Sequence, residues 1–247
     1  MPQQTNATAR RTNLNRDRVL RAAVARADRS GIEALSMRSL AQELGVVPMA
    51  LYKHVANKEE LLDGMVDAVI AEIGEIGEEG EARADSPADA SAGDAAWKGA
   101  ARRHVLAARH ALLRHPWAAR VIESRTGPTP GILGYLDSLI GTLLAGGLSA
   151  DLTHHAMHAL GSRAWGFTQE LLPTAPSPDP QVQAAALREL AVRFPHIAEI
   201  ATVRPHDDGT VVGQGCDDQF EFEFALDLLL DGFERLHRQG WSSAGRA

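Results

Sequence analysis

The sequence predicts an all-α protein with a small helix-turn-helix domain followed by a larger helical domain. Aromatic residues make up only 5% of the 247 residues, whereas Ala, Leu, Arg and Glu are abundant. This composition favours helices over strands. Apolar residues recur at helical spacing, and no alternating pattern is long enough to build a sheet. The length suffices for one or two domains with a buried core.

The N-terminal domain, residues 16–73, follows a polar arm of residues 1–15 that we expect to be disordered. Four helices are predicted, and caps mark where they begin. Their ranges are 16–29 after Asn15, 37–44 after Ser36, 48–55 from Pro48, and a fourth helix after Asn57, with Glu60 in a capping-box-like position. Gly31 and Gly45 are placed to end the first two helices.

Residues 74–94 are rich in acidic residues, Gly, Ala and Ser, and predict a flexible loop because they cannot bury enough apolar surface to become ordered. The C-terminal domain is expected to span residues 95–240. Its predicted helices cover residues 95–114, 131–145, 150–172, a short segment ending at Arg193, and 218–238. Loops are predicted for the proline-rich segment 173–181 and the polar segment 203–217.

The charge is distributed unevenly along the chain. Residues 1–58 contain ten Lys and Arg against four Asp and Glu, a balance of +6, although the whole chain carries −7. The rest contains fifteen against twenty-eight, or −13. A basic head on an acidic body suggests that the head alone approaches a polyanion. Chance clustering of surface charge is the alternative.

Several protein classes are disfavoured. No stretch approaches about 18 uninterrupted apolar residues, so no membrane span is expected. The N-terminus has no apolar core typical of a secretory signal. The single cysteine, Cys216, cannot form an intrachain disulfide or a cysteine-based metal site. We therefore expect a cytoplasmic protein.

Residues 37–55 have the spacing of a DNA-binding helix-turn-helix. Ala41 is small enough for two short helices to cross closely, and Gly45 tolerates the left-handed backbone of a tight turn. The apolar residues that join these helices to the first helix are Leu40, Leu44, Val46 and Leu51. In such a motif the second helix enters the major groove. An ordinary helical hairpin is the alternative.

Residues 16–73 resemble the N-terminal domain of the TetR family of bacterial transcriptional regulators. The stretches that carry this resemblance are Leu44-Gly45-Val46, Leu51-Tyr52-Lys53-His54-Val55 and Asn57-Lys58-Glu59-Glu60-Leu61-Leu62. Residues 97–236 resemble the C-terminal domain of its tetracycline-repressor branch. The matching pieces there are Arg114-His115-Pro116-Trp117, Gly146-Gly147-Leu148-Ser149, Gly166, Phe194-Pro195-His196, Phe220-Glu221-Phe222 and Leu226 to Gly232.

The resemblance implies the DNA contacts. Arg38 is expected to reach a base edge, where a guanidinium can bond guanine O6 and N7, and Ser36 to help bind a phosphate. Pro48, Met49 and Ala50 are expected to enter the groove, and Tyr52, Lys53, His54 and Lys58 to face phosphates. Family members often have a hydroxyl or amide at 48–50. This chain has only apolar groups there, so we expect specificity from thymine methyls or DNA shape. Tyr52 could instead be a packing aromatic.

The resemblance also implies a homodimer with an effector cavity in each body. Helices 150–172 and 218–238 carry wide apolar faces, and they are expected to form a four-helix interface that includes Leu229 and Phe233. His104 occupies a position where tetracycline-binding relatives have a polar residue contacting the drug, although it could be an ordinary structural histidine. The other candidates for effector contacts are Trp117, Ile122, Arg163, Trp165 and Gln169.

No metal or cofactor is expected. By its spacing from His115, Ile122 stands where tetracycline repressors bind a magnesium–drug chelate through a histidine, and an alkyl side chain offers no ligand atom to a hard cation. His154 and His158 are four residues apart on one helix, a spacing that can bind zinc or nickel, with His155 adjacent. No carboxylate follows at ligand spacing, so a metal site is not predicted.

These observations predict a regulator, most simply a repressor that a small organic effector releases from palindromic double-stranded operator DNA. Two alternatives remain open. One is a dimeric DNA-binding regulator that senses no ligand. The other is a helical enzyme acting on an organic substrate, although no nucleophile–base pair, metal motif or phosphate loop supports it.

Overall fold

The computed structural model describes residues 14–84, 96–166, 180–196, 199 and 218–245. Helices account for most of these residues, and the described ranges contain no β-strand. The α-helices are α1 (Arg16–Ser30), α2 (Met37–Leu44), α3 (Pro48–Leu51), α4 (Lys58–Ala84), α5 (Ala96–Arg114), α6 (Ala118–Glu123), α7 (Pro130–Ala145), α8 (Ala150–Gly166), α9 (Pro180–Arg193) and α10 (Asp218–Arg238). None of them is long and apolar enough to cross a membrane.

Side-chain caps set where the helices of the head begin. The Asn15 side chain accepts a hydrogen bond from the backbone N–H of Arg18 at 2.8 Å and starts α1. Asn57 accepts one from the N–H of Glu60 at 2.8 Å, and the Glu60 carboxylate in turn accepts one from the N–H of Ala56 at 2.6 Å. These bonds satisfy N–H groups that have no partner inside the helix. The predicted caps are confirmed.

The helix-turn-helix forms as the spacing predicts. Gly45 follows α2 with φ 67° and ψ 34°, a left-handed conformation that is costly for residues with a Cβ atom. Ala41, Leu40 and Leu51 are buried at the junction where α2 packs against α1 and α3. A glycine also allows α1 to approach α4, because a Cβ atom on Gly64 would lie 2.7 Å from the Leu20 side chain.

Helix α4 is the centre of the first half of the chain. It contacts α1, α5, α6 and α7. Its buried side chains recur at helical spacing. They are Leu61, Leu62, Met65, Val66, Val69, Ile70 and Ile73. Because α4 contacts both α1 and the helices that follow it, the head and the first three helices of the body share one core.

The chain divides into two compact units, Met1–Ser149 and Ala150–Ala247. In this grouping by contacts α5, α6 and α7 belong with the head, and the predicted division into domains of residues 16–73 and 95–240 stays a prediction. In the second unit α8 packs against α10. The buried residues of these two helices include Leu152, Ala156, Leu160, Phe222, Leu226 and Leu230.

Two predicted elements need correction. Helix α4 continues to Ala84, so residues 74–84 are helical although their acidic composition predicted a loop. Glu, Ala and Arg are good helix formers, and extending an existing helix avoids the cost of nucleation. Helix α3 ends at Leu51 instead of near Val55, and residues 52–54 form a turn.

The bounds of most other described helices agree closely with the predicted ones. The short helix α6 was not predicted. Helices α2 and α10 have the predicted bounds, and α1, α5 and α7 differ from them by one residue at one end. The predicted N-terminal arm up to residue 13 and the loops at 173–179 and 203–217 lie outside the described residues.

Candidate DNA-binding surface and ligand cavity

The start of α2 determines where the first candidate DNA contacts lie. Ser36 caps the helix, because its Oγ accepts a hydrogen bond from the Ser39 N–H at 3.1 Å. The Ser39 hydroxyl oxygen accepts one from the Ser36 N–H at 3.0 Å. Arg38 follows in the first turn, and its side chain is exposed. This reciprocal cap therefore fixes the point at which Arg38 leaves the helix.

Three cations of the head remain available for phosphates or bases. Arg38, Lys53 and Lys58 are exposed, and within the described part of the chain none of them forms a hydrogen bond or ion pair through its side chain. Unpaired cations on an exposed surface can neutralise DNA phosphates without first giving up an internal partner. All three are among the residues that the sequence predicts to contact DNA.

Two other cations of the head are engaged inside the protein. Arg26 and Arg29 on α1 form ion pairs with Glu43 on α2, at 3.1 and 2.6 Å. The hydrogen bonds from Arg29 and Arg26 hold the pKa of the Glu43 carboxyl below its usual value. Arg26 and Arg29 thus hold α1 against α2. The three exposed cations named above have no such partner within the described residues.

The recognition helix α3 presents apolar groups to solvent. Met49 is 70% exposed and Val47 is 68% exposed, while Leu51 is buried and anchors the helix. Tyr52 is 43% exposed, which does not support its alternative role as a packing aromatic. Exposed apolar groups at this position can contact thymine methyls in a major groove.

The remaining residues predicted for this surface are partly accessible. Pro48 is exposed, whereas Ala50 and His54 are half-buried. The backbone N–H of His54 donates to the Leu51 carbonyl at 2.8 Å, within the turn that ends α3. The turn therefore holds His54 close to the end of the recognition helix.

A partly open cavity of about 400 Å³ lies between α4, α5 and α7. Its size is within the range of about 300–1,000 Å³ that is usual for small-molecule sites. The lining residues are Ile70, Ala71, Ile73 and Gly74 from α4, Ala100, Arg103, His104 and Ala107 from α5, and Gly134, Tyr135, Ser138 and Thr142 from α7. The buried ones are Ile70, Ile73, Ala107 and Tyr135. The cavity thus has an apolar floor and a more polar, accessible rim.

Polar groups of the cavity wall come from α5 and α7. The Tyr135 hydroxyl donates to the backbone carbonyl of His104 at 3.5 Å, and the two rings lie 4.8 Å apart. Burial raises the pKa of Tyr135, so the phenol stays protonated at neutral pH. The Thr142 hydroxyl donates to the Ser138 carbonyl at 3.0 Å. Arg103 is half-buried on the same wall.

A partly buried polar junction connects α1 with α4, α5 and α6. Asp28 on α1 lies 2.8 Å from Nδ1 of His115 and accepts a hydrogen bond from the Trp117 indole N–H at 2.6 Å. Glu72 on α4 forms an ion pair with Arg114 at 2.8 Å and lies 3.3 Å from Nε2 of His115. The end of α5 is therefore held to both α1 and α4, close in sequence to the cavity residues of α4.

Helix α4 is also held along its first half by the segment between α6 and α7. Arg125 pairs with Glu59 at 2.7 Å and with Asp63 at 3.1 Å. The backbone N–H of Gly131 donates to the Asp67 carboxylate at 2.9 Å. Since α7 lines the cavity, these contacts link a cavity helix to the part of α4 nearest the head.

In the second unit, α10 exposes a stripe of large apolar side chains. Phe220, Phe224 and Leu228 are spaced four residues apart and are 44%, 54% and 56% exposed. The rings of Phe220 and Phe224 stack at 6.4 Å. Phe233 is only 7% exposed and Leu229 is half-buried, so these two residues are not the apolar groups that α10 leaves uncovered. The place of Leu229 and Phe233 in a dimer interface stays a prediction, and the stripe of Phe220, Phe224 and Leu228 is a further candidate.

The histidines of α8 lie near one another. The rings of His154 and His158 are 4.7 Å apart, and His155 lies 3.7 Å from Asp151 and 5.4 Å from the Trp241 ring. In the ranges that the structure describes, no group of three potential metal ligands converges.

Known protein families match most of the chain. The family described as "Tetracyclin repressor-like, C-terminal domain" matches residues 90–237, which is more than half of the chain. The family described as "Bacterial regulatory proteins, tetR family" matches residues 19–65, which include α2 and α3. The chain belongs to the TetR family.

Individual TetR relatives agree with this assignment. The HTH-type transcriptional repressor DrrR1 of Streptomyces coeruleorubidus is 35% identical over 136 residues, which are 55% of this chain and 46% of that protein. The chain thus spans about half the length of the first curated relatives that it matches.

Two solved structures share the fold. A possible TetR family regulator from Streptomyces coelicolor is 29% identical, with a TM-score of 0.63, and the match covers 90% of this chain and all of that one. BioQ bound to its double-stranded DNA operator is 25% identical, with a TM-score of 0.55, over 90% of this chain and 99% of that one.

His104 is the predicted effector residue that lines the cavity, and its contact with an effector stays a prediction. Trp117 and Ile122 lie outside the described cavity lining, and their contacts with an effector stay predictions. The Trp117 indole is buried and donates to Asp28, so its polar atom is used inside the TetR-type fold. Ile122 is half-buried on α6, which contributes no residue to the cavity.

The other predicted effector residues belong to the second unit or lie beyond the described residues. Arg163 and Trp165 are on α8, and their side chains are not among the described groups. Gln169 lies outside the described residues. Their effector contacts remain predictions.

The sequence reasoning missed Arg103 and Tyr135. Arg103 could have been found from His104, because residues 100, 103, 104 and 107 share one helical face at spacings of three and four. Tyr135 lies 31 residues from His104 and on another helix, and no local pattern connects the two.

Proposed function

We propose that this TetR-family chain is a homodimeric transcriptional repressor, which a small organic effector releases from palindromic double-stranded operator DNA. One observation carries the proposal: α4 belongs to both candidate sites. Lys58 is its first residue, and Ile70 and Ile73 line the cavity on the same helix. At about 1.5 Å per residue, the distance from Lys58 to Ile70 is roughly 18 Å. A ligand that shifts α4 at the cavity would also shift its DNA-facing end.

The contacts around α4 support this coupling. Asp28 and Glu72 both lie against His115, so α1 and α4 are joined at the same point. A shift of α4 therefore has a direct path to the first helix of the head. Effectors of this kind typically change affinity at the other site by a coupling energy of about 1–3 kcal/mol.

DNA binding is supported by the head. Exposed Arg38, Lys53 and Lys58 provide charge, and Met49 and Val47 provide apolar groups at the recognition helix. The relative BioQ binds a double-stranded DNA operator, and the relative DrrR1 is a transcriptional repressor. We expect the protein to act in the cytoplasm, because its proposed target is the cell's own operator DNA.

The exposed stripe of α10 supports a dimer. Phe220, Phe224 and Leu228 form a row that would be costly to leave in water, and a second copy could cover it. Two-fold symmetry would place two heads on two half-sites of a palindrome. Dimerisation thus supplies the geometry that the operator requires.

Binding, rather than catalysis, is supported by the chemistry of the cavity. The Tyr135 hydroxyl is bonded to a backbone carbonyl, and its raised pKa keeps it from acting as a base near neutral pH. The Thr142 hydroxyl is likewise bonded to the backbone of its own helix. The cavity offers an enclosure with a few polar groups, as binding sites do.

The test begins with footprinting across the neighbouring genes, which identifies the operator. A thermal-shift screen then selects compounds that bind the protein, and fluorescence anisotropy measures whether they release it from labelled operator. Gly134→Leu should block release, because Gly134 lines the cavity and a Cβ atom there meets no other atom. Gly141→Leu is the control on the same helix, since Gly141 is exposed, outside the cavity and equally unobstructed.

The outcomes separate the alternatives. Operator binding without any releasing compound would favour a regulator that senses no ligand, and turnover of a selected compound would favour an enzyme. Release that persists in EDTA is expected, because we propose an effector without magnesium. Loss of release in EDTA would contradict that part of the proposal, and failure to protect any operator would contradict the whole.

A further inference from the structure

Arg103 differs from the arginines of the first unit that form ion pairs. Several of them hold carboxylates, as the ion pairs of Arg26, Arg29, Arg114, Arg120 and Arg125 show. Arg103 lines the cavity, and within the described part of the chain it forms no hydrogen bond or ion pair. Arg103 as a residue is half-buried. A partly buried cation without an internal partner can form an ion pair with an anionic group of a ligand.

The surroundings of Arg103 make the cavity positive. Among the described residues that line it, none carries a carboxylate. Tyr135 adds no negative charge, because burial raises its pKa and the phenol stays neutral. An anionic ligand would therefore meet the positive charge of Arg103 and no negative charge among the described residues of the cavity wall. Partial withdrawal from water strengthens this attraction relative to an exposed pair.

The apolar floor adds a second requirement. Ile70, Ile73 and Ala107 are buried there, and a ligand must bring apolar surface to cover them. A small inorganic anion would satisfy Arg103 but leave this floor in contact with water. An uncharged apolar compound would cover the floor but leave the guanidinium unpaired.

We propose that the effector of this chain is an organic anion with an apolar body, and that Arg103 binds its anionic group. The inference rests on the proposed function, in which this cavity holds the effector. A planar guanidinium binds a carboxylate or similar group through two parallel hydrogen bonds, which gives geometric selection as well as attraction. Cationic compounds of the same size are disfavoured by like charge.

A matched pair of fluorescent dyes tests this preference. Anilinonaphthalene sulfonate and N-phenylnaphthylamine share the same aromatic body, but only the first carries a negative charge. The full-length protein should bind the anionic dye more tightly, and Arg103→Gln should weaken that binding about tenfold, as expected for a charge-assisted hydrogen bond. The neutral dye should bind both proteins within about twofold. Arg103→Lys should keep most of the preference because it keeps the charge.

Two controls locate the effect. Arg102→Gln removes the same charge one residue away, outside the cavity lining, and should leave the preference unchanged. Gly134→Leu should weaken both dyes, which excludes binding to the exposed stripe of α10 as the source of the signal. Because Arg103 has no partner in the described residues, its replacement removes no internal ion pair, and a thermal melt checks that each variant is folded.

The inference is overturned if the wild-type protein prefers the neutral dye, if Arg103→Gln weakens both dyes alike, or if Gly134→Leu leaves the anionic dye unaffected. Operator binding, measured by anisotropy in the same buffer, reports separately on the proposed function. A protein that binds its operator but shows no charge preference loses this inference alone. A protein that binds no operator loses the proposed function, while the dye pair still decides which charge the cavity selects.

Discussion

The head and α10 both expose large apolar side chains, but the two surfaces differ in what surrounds them. On the head, Met49 lies on the four-residue helix α3 and Val47 directly precedes that helix, between exposed cations. On α10, Phe220, Phe224 and Leu228 form a row along a helix of 21 residues. The first surface mixes charge with small apolar contacts, and the second is a continuous apolar stripe.

This difference indicates different partners. DNA offers phosphates first and thymine methyls only at the groove floor, so a surface for DNA needs cations around a few apolar groups. A second protein chain offers apolar area, and its association is driven mainly by burying such area. Substitutions that disrupt one surface at a time test this difference.

The largest effect is expected from Phe224→Asp. In a dimer that covers the stripe, a buried carboxylate without a partner costs several kcal/mol for each subunit, enough to separate the subunits. Analytical ultracentrifugation should show monomers, and binding to a palindromic operator should be lost. Leu113→Asp is the control, because Leu113 is an exposed leucine on α5, outside the stripe. A dimer that survives Phe224→Asp would remove the stripe from the interface.

A smaller effect is expected from Arg38→Ala. The loss of a base contact should cost about 1–3 kcal/mol and relax the preference at one base pair in each half-site. Competition with single-base operator variants measures this preference. If specific binding persists with an unchanged preference at every position, Arg38 does not read a base.

Lys58→Ala should weaken binding to all sequences alike. Removing one phosphate contact should reduce the slope of log affinity against log salt by about one. Arg29→Ala is the matched control, because Arg29 is already paired with Glu43 and should leave that slope nearly unchanged. Equal salt slopes for the wild-type protein and Lys58→Ala would mean that Lys58 does not contact DNA.

The smallest effect is expected from Glu43→Gln. Its ion pairs with Arg26 and Arg29 are partly exposed, so we expect a loss of stability of less than about 1 kcal/mol. The folded-state pKa of Glu43 is lowered from 4.5, so this stability is present above that pH and is lost as the pH falls through the folded-state value.

Urea unfolding at about pH 7 and about pH 3 checks this sign, since the difference between wild type and Glu43→Gln should shrink at the lower pH. Glu123→Gln is the control, because Glu123 is exposed and has no partner within the described residues. A difference that grows on acidification would contradict the assigned role of Glu43.

The head could be predicted almost completely from the sequence, whereas the cavity could not. The helices of the head begin and end through hydrogen bonds and backbone angles that involve residues within about four positions of one another, at Asn15, Ser36, Gly45 and Asn57. Such local interactions can be predicted from a single sequence. The cavity combines α4, α5 and α7, and its contact between His104 and Tyr135 spans 31 residues. Nothing local relates these positions.

The same distinction explains the individual corrections. Trp117 was predicted to contact an effector. In the structure its indole N–H donates a hydrogen bond to Asp28, which lies 89 residues earlier in the chain. Residues 74–84 looked like a loop because of their acidity, yet they continue a helix that was already formed. In both cases, composition or position suggested an environment that packing then changed.

The sequence by itself determined the all-α class, the helix-turn-helix with its caps and glycine turn, and the basic head that carries Arg38 and Lys58. These depend on helical spacing, local hydrogen bonds and charge, which operate along the chain. The tertiary structure alone decided that α4 joins the head to the cavity, that Arg26 and Arg29 are paired, and that Arg103 has no partner among the described residues. Those properties depend on which distant side chains meet, and only the packing of the helices brings them together.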